Sequence, residues 1–205
     1  MKVLVTGAAG FIGGHLAETF TGEGHDVTAL DNYEPYYDLG IKEHNVEAGR
    51  QAATDSEGTY EIVNGSVVNA DLVAELAGDA DKIYHQAAQA GVRKSVEEPA
   101  KVNKYNITGT VNVLEAARKN DVDRVVYASS SSVYGKPQYL PYDEEHPNEP
   151  VSPYGVSKLS GEHYARVYNE DRRTPHGLTP LLHRLRPTNA SEHGNLQLRL
   201  PLYAR

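Results

Sequence analysis

The sequence contains no cysteine and no long hydrophobic run. Without Cys, disulfide bonds and thiolate metal sites are excluded. No segment approaches the roughly 18 consecutive apolar residues of a membrane-spanning helix, and the N-terminus resembles a β-strand rather than a signal peptide. The net charge of −8 argues against nucleic acid as a partner. We therefore expect a soluble, cytoplasmic protein with no membrane partner.

A glycine-rich loop follows the first predicted strand. Gly7, Gly10 and Gly13 come directly after the apolar run Lys2–Thr6 and open a helical pattern. Glycines let backbone N–H groups approach a phosphate closely, and the N-terminus of the following helix favours an anion. The next strand ends at Asp31, whose carboxylate would accept hydrogen bonds from ribose hydroxyls and favour NAD over NADP. The alternative is a tight strand-to-helix turn that binds no ligand.

Strand and helix patterns alternate along residues 1–170. A long helix is predicted from about residue 99 to 120, and a helix capped by Ser152 runs to about 170. This alternation predicts an α/β fold, a Rossmann-type doubly wound parallel sheet with flanking helices. We interpret residues 32–58, which are polar and weakly periodic, as a partly helical insertion. The expected strands lie at 2–6, 26–30, 60–63, 82–85 and 124–129.

A tyrosine and a lysine stand one helical turn apart in the last predicted helix. Tyr154 and Lys158 are i and i+4, so their side chains share one face. A nearby ammonium is expected to lower the pKa of a phenol, which would let Tyr154 act as a base. Ser130, after the fifth strand, is placed to hydrogen-bond the same substrate oxygen. The alternative is an ordinary exposed pair on a surface helix.

Four segments together resemble the extended short-chain dehydrogenase/reductase family. Within it they are most similar to the NAD-dependent epimerase/dehydratase group, and to UDP-glucose and UDP-N-acetylglucosamine 4-epimerases in particular. The segments are Thr6-Gly7-Ala8-Ala9-Gly10-Phe11-Ile12-Gly13, His85-Gln86-Ala87-Ala88-Gln89-Ala90-Gly91-Val92-Arg93, Ser129-Ser130-Ser131-Ser132-Val133-Tyr134-Gly135 and Ser152-Pro153-Tyr154-Gly155-Val156-Ser157-Lys158.

The resemblance implies a role for each site residue. Tyr154 would be the catalytic base, Lys158 would hold the nicotinamide ribose and tune Tyr154, and Ser130 would bind the sugar hydroxyl. It also implies a nucleotide sugar, most simply a UDP-sugar, as the ligand, a homodimer as the usual assembly, and no metal. Asn103 or Asn106 would stand behind the site. NAD would be bound by Gly7, Gly10, Phe11, Ile12, Gly13, Asp31, Asn32, Ala87, Ala88, Gln89, Asn106, Tyr154 and Lys158.

The sequence departs from the family pattern at two places. The 4,6-dehydratase branch carries an Asp-Glu pair after the fifth strand, whereas this chain has Ser131 and Ser132. Elimination of water would therefore lack its acid and base. Near the third strand, Gly65-Ser66-Val67 replaces the family's Gly-Asp-Ile/Val, which we expect to weaken the contact with adenine.

The composition changes near residue 171. Residues 1–170 hold 14 Lys and Arg against 26 Asp and Glu, whereas residues 171–205 hold 6 Arg, no Lys and 2 acidic residues. Shifted by one base from Arg173 to Arg199, codons for this sequence can spell GLPTVSLRYFTVYGPRMRPNMAISNFV. That string resembles the family's own continuation, and such agreement over 27 positions is not expected by chance. We therefore expect the chain to leave its ancestral reading frame near residue 171.

This shift affects the expected domains and function. We expect an NAD-binding Rossmann domain at 1–170, a poorly ordered out-of-frame tail at 171–205 and a missing C-terminal substrate domain. Three functions remain open. The first is a nucleotide-sugar 4-epimerase, using hydride transfer from C4 to NAD and back through a 4-keto sugar, impaired by truncation. The second is a non-catalytic NAD-binding remnant, and the third is a simple NAD-dependent alcohol dehydrogenase or reductase.

Overall fold

Strands and helices alternate along the chain. The computed structural model describes residues 1–170, so the tail expected at 171–205 lies outside the described residues. The strands are β1 Lys2–Thr6, β2 Asp26–Asp31, β3 Thr59–Asn64, β4 Lys82–His85 and β5 Arg124–Tyr127. The helices are α1 Phe11–Gly22, α2 Leu39–Thr54, α3 Ala70–Ala77, α4 Val92–Glu97, α5 Pro99–Asn103, α6 Gly109–Lys119 and α7 Pro153–Glu170.

The five strands form one parallel sheet in the order β3-β2-β1-β4-β5. From β1 the chain adds β2 and β3 on one side of the sheet and then β4 and β5 on the other. The strand order therefore reverses between β1 and β4. In open α/β sheets, ligands bind at the carboxyl ends of the strands beside such a switch point. The predicted Rossmann-type doubly wound sheet with flanking helices is confirmed.

Alternate residues of β1 form the two halves of the core. Val3 and Val5 pack with Leu16 and Phe20 of α1 on one face of the sheet. Leu4 points to the opposite face, into a second buried cluster that contains Val113 of α6. This alternation follows from the two-residue period of a strand, and it explains why β1 is apolar throughout.

The long helix predicted from about 99 to 120 is interrupted. Between α5 and α6 the chain forms a π-helical turn, Lys104–Thr108, which carries the buried Asn106. Strand β5 is shorter than predicted, because Ala128 and Ser129 leave the sheet and enter the loop at its carboxyl edge. Both differences occur at the edge where ligands are expected. No helix among residues 1–170 has the length and apolarity needed to cross a membrane.

The segment 32–58, which we expected to be a partly helical insertion, contains the 16-residue helix α2. This helix is the crossover that joins β2 to β3. Asp38 caps it by accepting a hydrogen bond from the Gly40 N–H at 2.7 Å. A Cβ on Gly49 would lie 2.5 Å from the ring of Tyr60, so the glycine allows α2 to approach β3 closely.

The start of α7 agrees with the sequence prediction. The Ser152 hydroxyl accepts a hydrogen bond from the Gly155 N–H at 3.1 Å, and Pro153 is the first helical residue. A Cβ on Gly161 would lie 2.3 Å from the Tyr127 hydroxyl. Close approach of α7 to β5 therefore places Tyr154 and Lys158 at the carboxyl edge of the sheet.

Val113→Ala tests the packing of α6 against the sheet. Val113 is fully buried, and we expect its truncation to lower the free energy of unfolding by about 1.5–3 kcal/mol. Val167→Ala is the matched control, because Val167 is also helical but is 62% exposed. Both substitutions raise helix propensity by the same amount, so the difference between them reports the packing. Urea unfolding measures both. Equal losses in the two variants would contradict this packing.

Candidate functional site

A cleft of about 370 Å³ opens at the carboxyl ends of the strands. Its walls come from the loops that follow all five strands and from one face of α7. Ser130 and Asn106 are not among the lining residues; Ser130 lies next to Tyr154, and Asn106 is buried next to Gln89. The predicted site residues that line it are Gly7, Gly10, Phe11, Ile12, Gly13, Asp31, Asn32, Ala87, Ala88, Gln89, Tyr154 and Lys158.

The glycine loop packs backbone against backbone. Gly7 has φ +70, and a Cβ there would lie 2.7 Å from the Ala87 nitrogen. A Cβ on Gly13 would lie 2.2 Å from the Gly7 carbonyl oxygen. The N-cap of α1 is Gly10, which has no side chain to cap the helix. The first residues of α1, Phe11, Ile12 and Gly13, line the cleft, and the backbone N–H groups at the start of a helix suit a phosphate.

The Asp31 carboxylate is buried and accepts three hydrogen bonds. Oδ2 accepts from the Ala9 N–H at 3.1 Å, and Oδ1 accepts from the Tyr33 N–H at 2.8 Å and from Lys42 Nζ at 2.9 Å. A carboxylate offers about four acceptor positions, so one remains on Oδ2. Asp31 is therefore placed to accept one hydroxyl hydrogen bond from a ligand in the cleft.

Two residues of α2 that sequence reasoning missed hold the glycine loop. Lys42 pairs with Asp31, and Asn45 donates from Nδ2 to the Ala9 carbonyl at 2.9 Å. The Ala9 peptide is thus held on one side by Asp31 and on the other by Asn45. The buried residues of α2 follow helical spacing, i, i+3, i+4 and i+7, and are Lys42, Asn45, Val46 and Gly49. Two of these four, the lysine and the asparagine, are polar. A search for hydrophobic periodicity alone does not detect such a face.

Tyr154 lies in the cleft with Ser130 beside it. Burial raises the pKa of the Tyr154 phenol, a side-chain hydrogen bond with Ser130 lowers it, and the nearby Tyr36 raises it further. The expected lowering by Lys158 is wrong for this structure, where the net shift is upward. The ammonium lies 6.0 Å from the centroid of the Tyr154 ring and donates to the Ala128 carbonyl.

Lys158 is a buried ammonium. It is 3% exposed, and its Nζ donates to the Ala128 carbonyl at 2.8 Å and lies 5.1 Å from the Tyr127 ring centroid. Within residues 1–170 it has no carboxylate at ion-pair distance. Burial lowers the pKa of Lys158 to about 8. Two of its N–H donors remain for a ligand or for the phenol.

Asn106 positions a residue of the cleft wall. Its Oδ1 accepts from the Gln89 N–H at 2.7 Å, and its Nδ2 donates to the Gln89 carbonyl at 3.1 Å and to the Ser157 hydroxyl at 3.0 Å. Ser157 in turn donates to the Tyr154 carbonyl at 2.7 Å. Asn103, the alternative from the sequence, is exposed. Asn106 therefore ties the loop after β4 to the helix that carries Tyr154.

A buried histidine links β1 to the π-helical turn. His85 Nδ1 lies 2.7 Å from the Thr6 hydroxyl, and Nε2 lies 3.0 Å from the Thr110 hydroxyl. Because Thr110 donates to the Asn106 carbonyl, it accepts from His85, so Nε2 carries the proton and Nδ1 accepts from Thr6. Burial, with a smaller effect of Lys158, lowers the pKa of His85 to about 3. His85 is therefore neutral and structural.

Serines occupy both places where the sequence departs from the family pattern. Ser131 and Ser132 form a 3-10 turn capped by Ser130, whose hydroxyl accepts from the Ser132 N–H at 3.1 Å. The loop after β5 contributes Ala128 and Ser129 to the cleft wall. No carboxylate from this loop lines the cleft. Ser66 also lines it, in the place where the family usually has an aspartate.

Comparisons with known proteins agree with this geometry. A family model described as GDP-mannose 4,6 dehydratase matches residues 4–189. The UDP-glucose 4-epimerase of Mycolicibacterium smegmatis is 38% identical over 170 residues, which cover 82% of this chain and 51% of that protein. UDP-glucuronate 4-epimerase 3 of Arabidopsis thaliana is 39% identical over 172 residues, covering 82% and 39%. The chain thus spans about half the length, or less, of these curated relatives.

A solved structure shows the same fold. UDP-glucuronic acid 4-epimerase from Bacillus cereus, in complex with UDP-glucuronic acid and NAD, superposes with a TM-score of 0.73 at 35% identity. The match covers 83% of this chain and 53% of that one.

Gly13→Ala tests the close approach in the glycine loop. The new Cβ would overlap the Gly7 carbonyl oxygen, so we expect a loss of about 1–3 kcal/mol in the free energy of unfolding. Gly22→Ala is the control in the same helix, because a Cβ there meets nothing within 4 Å. Urea unfolding measures both variants. A Gly13→Ala protein as stable as Gly22→Ala would contradict the geometry.

The buried Lys158 predicts a pH dependence of stability. Its pKa is about 8 in the folded chain, against about 10.4 when unfolded, so above pH 8 the unfolded chain binds more protons. The free energy of unfolding should therefore rise with pH in this window. From pH 8 to about 9.5 we expect wild type to gain about 1–2 kcal/mol over Lys158→Met, measured by urea unfolding. Parallel pH profiles would contradict the lowered pKa.

Proposed function

Since the chain belongs to the NAD-dependent epimerase/dehydratase family of extended short-chain dehydrogenases/reductases, we propose that its cleft binds NAD and serves the 4-epimerisation of a UDP-sugar. One observation carries the proposal. Tyr154, Lys158 and the glycine loop, distant in sequence, line a single cleft, and Ser130 lies next to the Tyr154 phenol.

The cleft residues fit a dinucleotide. Side chains on Gly7 or Gly13 would collide with the backbone, so the glycines allow the close loop packing that leaves the N-terminus of α1 at the cleft, where it suits a pyrophosphate. Asp31 keeps one acceptor position for a ribose hydroxyl, and its negative charge favours NAD. Gln86, which lines the cleft, has a buried Oε1 without a hydrogen-bond partner among the described residues.

When bound, NAD would supply the hydride acceptor and donor for C4 of the sugar. Side chains of the cleft transfer the proton. Tyr154 takes the proton of the C4 hydroxyl, and Ser130, which lies next to Tyr154, orients that hydroxyl. The two free N–H donors of Lys158 stabilise the phenolate and hold the ribose. In the chain alone, the raised pKa disfavours ionisation of the Tyr154 phenol. We therefore expect the phenol to ionise when NAD and the sugar are bound.

The loop after β5 favours an epimerase over a dehydratase. The family model is described as a 4,6 dehydratase, but Ser131 and Ser132 stand where that branch has its acid pair. The named relatives are UDP-glucose and UDP-glucuronate 4-epimerases. The simplest assignment is therefore a UDP-hexose or UDP-hexuronate as substrate, with hydride transfer and no elimination.

We also propose the domain division as residues 1–170 for NAD binding and 171–205 as an out-of-frame segment. Under this division the family's continuation after residue 170 is replaced by an out-of-frame sequence, so turnover by the chain should be far slower than that of the named relatives. Sequencing the coding DNA tests the division. One inserted or deleted base near codon 171 should restore the family continuation, whereas an intact frame with no such restoration would overturn it.

Tyr154→Phe tests the assigned base. We expect the interconversion of UDP-glucose and UDP-galactose, or of the UDP-hexuronates, to fall about 10²–10⁴-fold, with NAD affinity retained. Chromatography of the UDP-sugars, with NAD and excess protein but no added NADH, measures the rate. Tyr164→Phe on the exposed part of α7 is the matched control and should leave the rate unchanged.

Two results would contradict the proposed function. A Tyr154→Phe protein that retains the wild-type rate would remove Tyr154 from the chemistry. A wild-type chain that binds NAD but interconverts no UDP-sugar in single-turnover conditions would instead support the non-catalytic NAD-binding remnant.

A further inference from the structure

Lys42 is a buried cation at the end of the cleft bounded by Asp31 and Asn32. Its side chain is 8% exposed and that of Asp31 is 4% exposed, and their charged atoms are 2.9 Å apart. Both residues line the cleft. Within residues 1–170, Asp31 is the one carboxylate at ion-pair distance from Lys42. A buried pair of this kind is weak evidence for stability, because desolvation offsets much of the attraction.

The position of Lys42 does not depend on Asp31 alone. Lys42 lies in the second turn of α2, and the nearby Asn45 anchors the same helix to the Ala9 carbonyl. The ammonium also lies 5.7 Å from the centroid of the Tyr37 ring, which lines the cleft too. Removing the Asp31 carboxylate should therefore leave the cation near its present place, next to the vacated volume.

We propose that Lys42 is a specificity-determining residue for the dinucleotide, a phosphate-binding cation that Asp31 keeps neutralised. This inference rests on the proposed NAD binding. With Asp31 present, its carboxylate repels the 2′-phosphate of NADP and occupies the ammonium. With Asp31 removed, the Lys42 ammonium becomes a donor at the position where a ribose 2′-phosphate would lie. One buried pair thus holds the determinants for both dinucleotides.

The distinctive consequence is that one substitution should reverse the cofactor preference. A site that selects NAD only through its acidic residue would lose NAD affinity on losing that residue and would gain NADP affinity only by relief of repulsion, whether or not Lys42 is present. Here the loss of Asp31 should expose a pre-positioned cation. A charge-assisted contact with the phosphate should improve NADP affinity by about tenfold or more.

The test measures equilibrium binding of NAD and NADP to the full chain by titration calorimetry. Wild type should bind NAD and reject NADP, and Asp31→Ala should raise the NADP affinity itself by at least about tenfold. Asp31→Ala with Lys42→Met should lose most of that gain and keep only the part that comes from relief of repulsion. Asp31→Ala with Lys42→Arg should keep the whole gain, because arginine also binds phosphate. Lys42→Met alone should still reject NADP, since the carboxylate remains.

Folding is checked by melting temperature, because an unpaired buried lysine destabilises a protein. The titrations are run below the lowest melting temperature of the set. Equal NADP affinity of Asp31→Ala with and without Lys42→Met would overturn the role of Lys42. A wild-type chain that binds NAD, with no NADP gain in folded Asp31→Ala, would overturn the inference alone. A folded wild type that binds neither dinucleotide would overturn the proposed function with it.

Discussion

The site depends on backbone contact between the loops that follow β1 and β4. Gly7 lies so close to Ala87 that a Cβ would come within 2.7 Å of the Ala87 nitrogen. The Ala87 N–H donates to the Thr6 hydroxyl, which bonds His85, and from there the hydrogen bonds continue through Thr110 to the π-helical turn. Movement at the glycine loop would therefore disturb the loop that holds Gln89 and, through it, the helix that carries Tyr154.

Two buried lysines line the same cleft, and their ammonium groups have different kinds of partner. Lys42 has a carboxylate partner, whereas Lys158 has a carbonyl and an aromatic ring. Burial without a countercharge costs stability, and the lowered pKa of Lys158 reflects that cost. A group kept at such a cost is typical of a functional site rather than of a stabilising interaction. The electrostatics of the cleft therefore point to an anionic or phenolate partner for Lys158.

The fold and much of the site were predictable from the sequence because their signals are local. The apolar β1, the glycine spacing and the Ser152 cap each constrain a few consecutive residues, and they place β1, the loop and α7 correctly. Helix α2 was underestimated because its buried face carries Lys42 and Asn45, whose partners are far along the chain. The upward pKa shift of Tyr154 could not be predicted from the sequence either. Burial and the direction of the Lys158 ammonium are properties of packing, which i,i+4 spacing does not reveal.

The central claim is that the cleft brings a sugar C4 and NAD together for hydride transfer out and back, with Tyr154 moving the proton. The most direct measurement uses a UDP-sugar carrying deuterium at C4, incubated with the chain and NAD in ordinary water, with the product analysed by mass spectrometry. We predict that the deuterium remains at C4 of the epimerised product. Replacement of the deuterium by solvent hydrogen would contradict it, because the C–H bond would then break by proton loss rather than by hydride transfer.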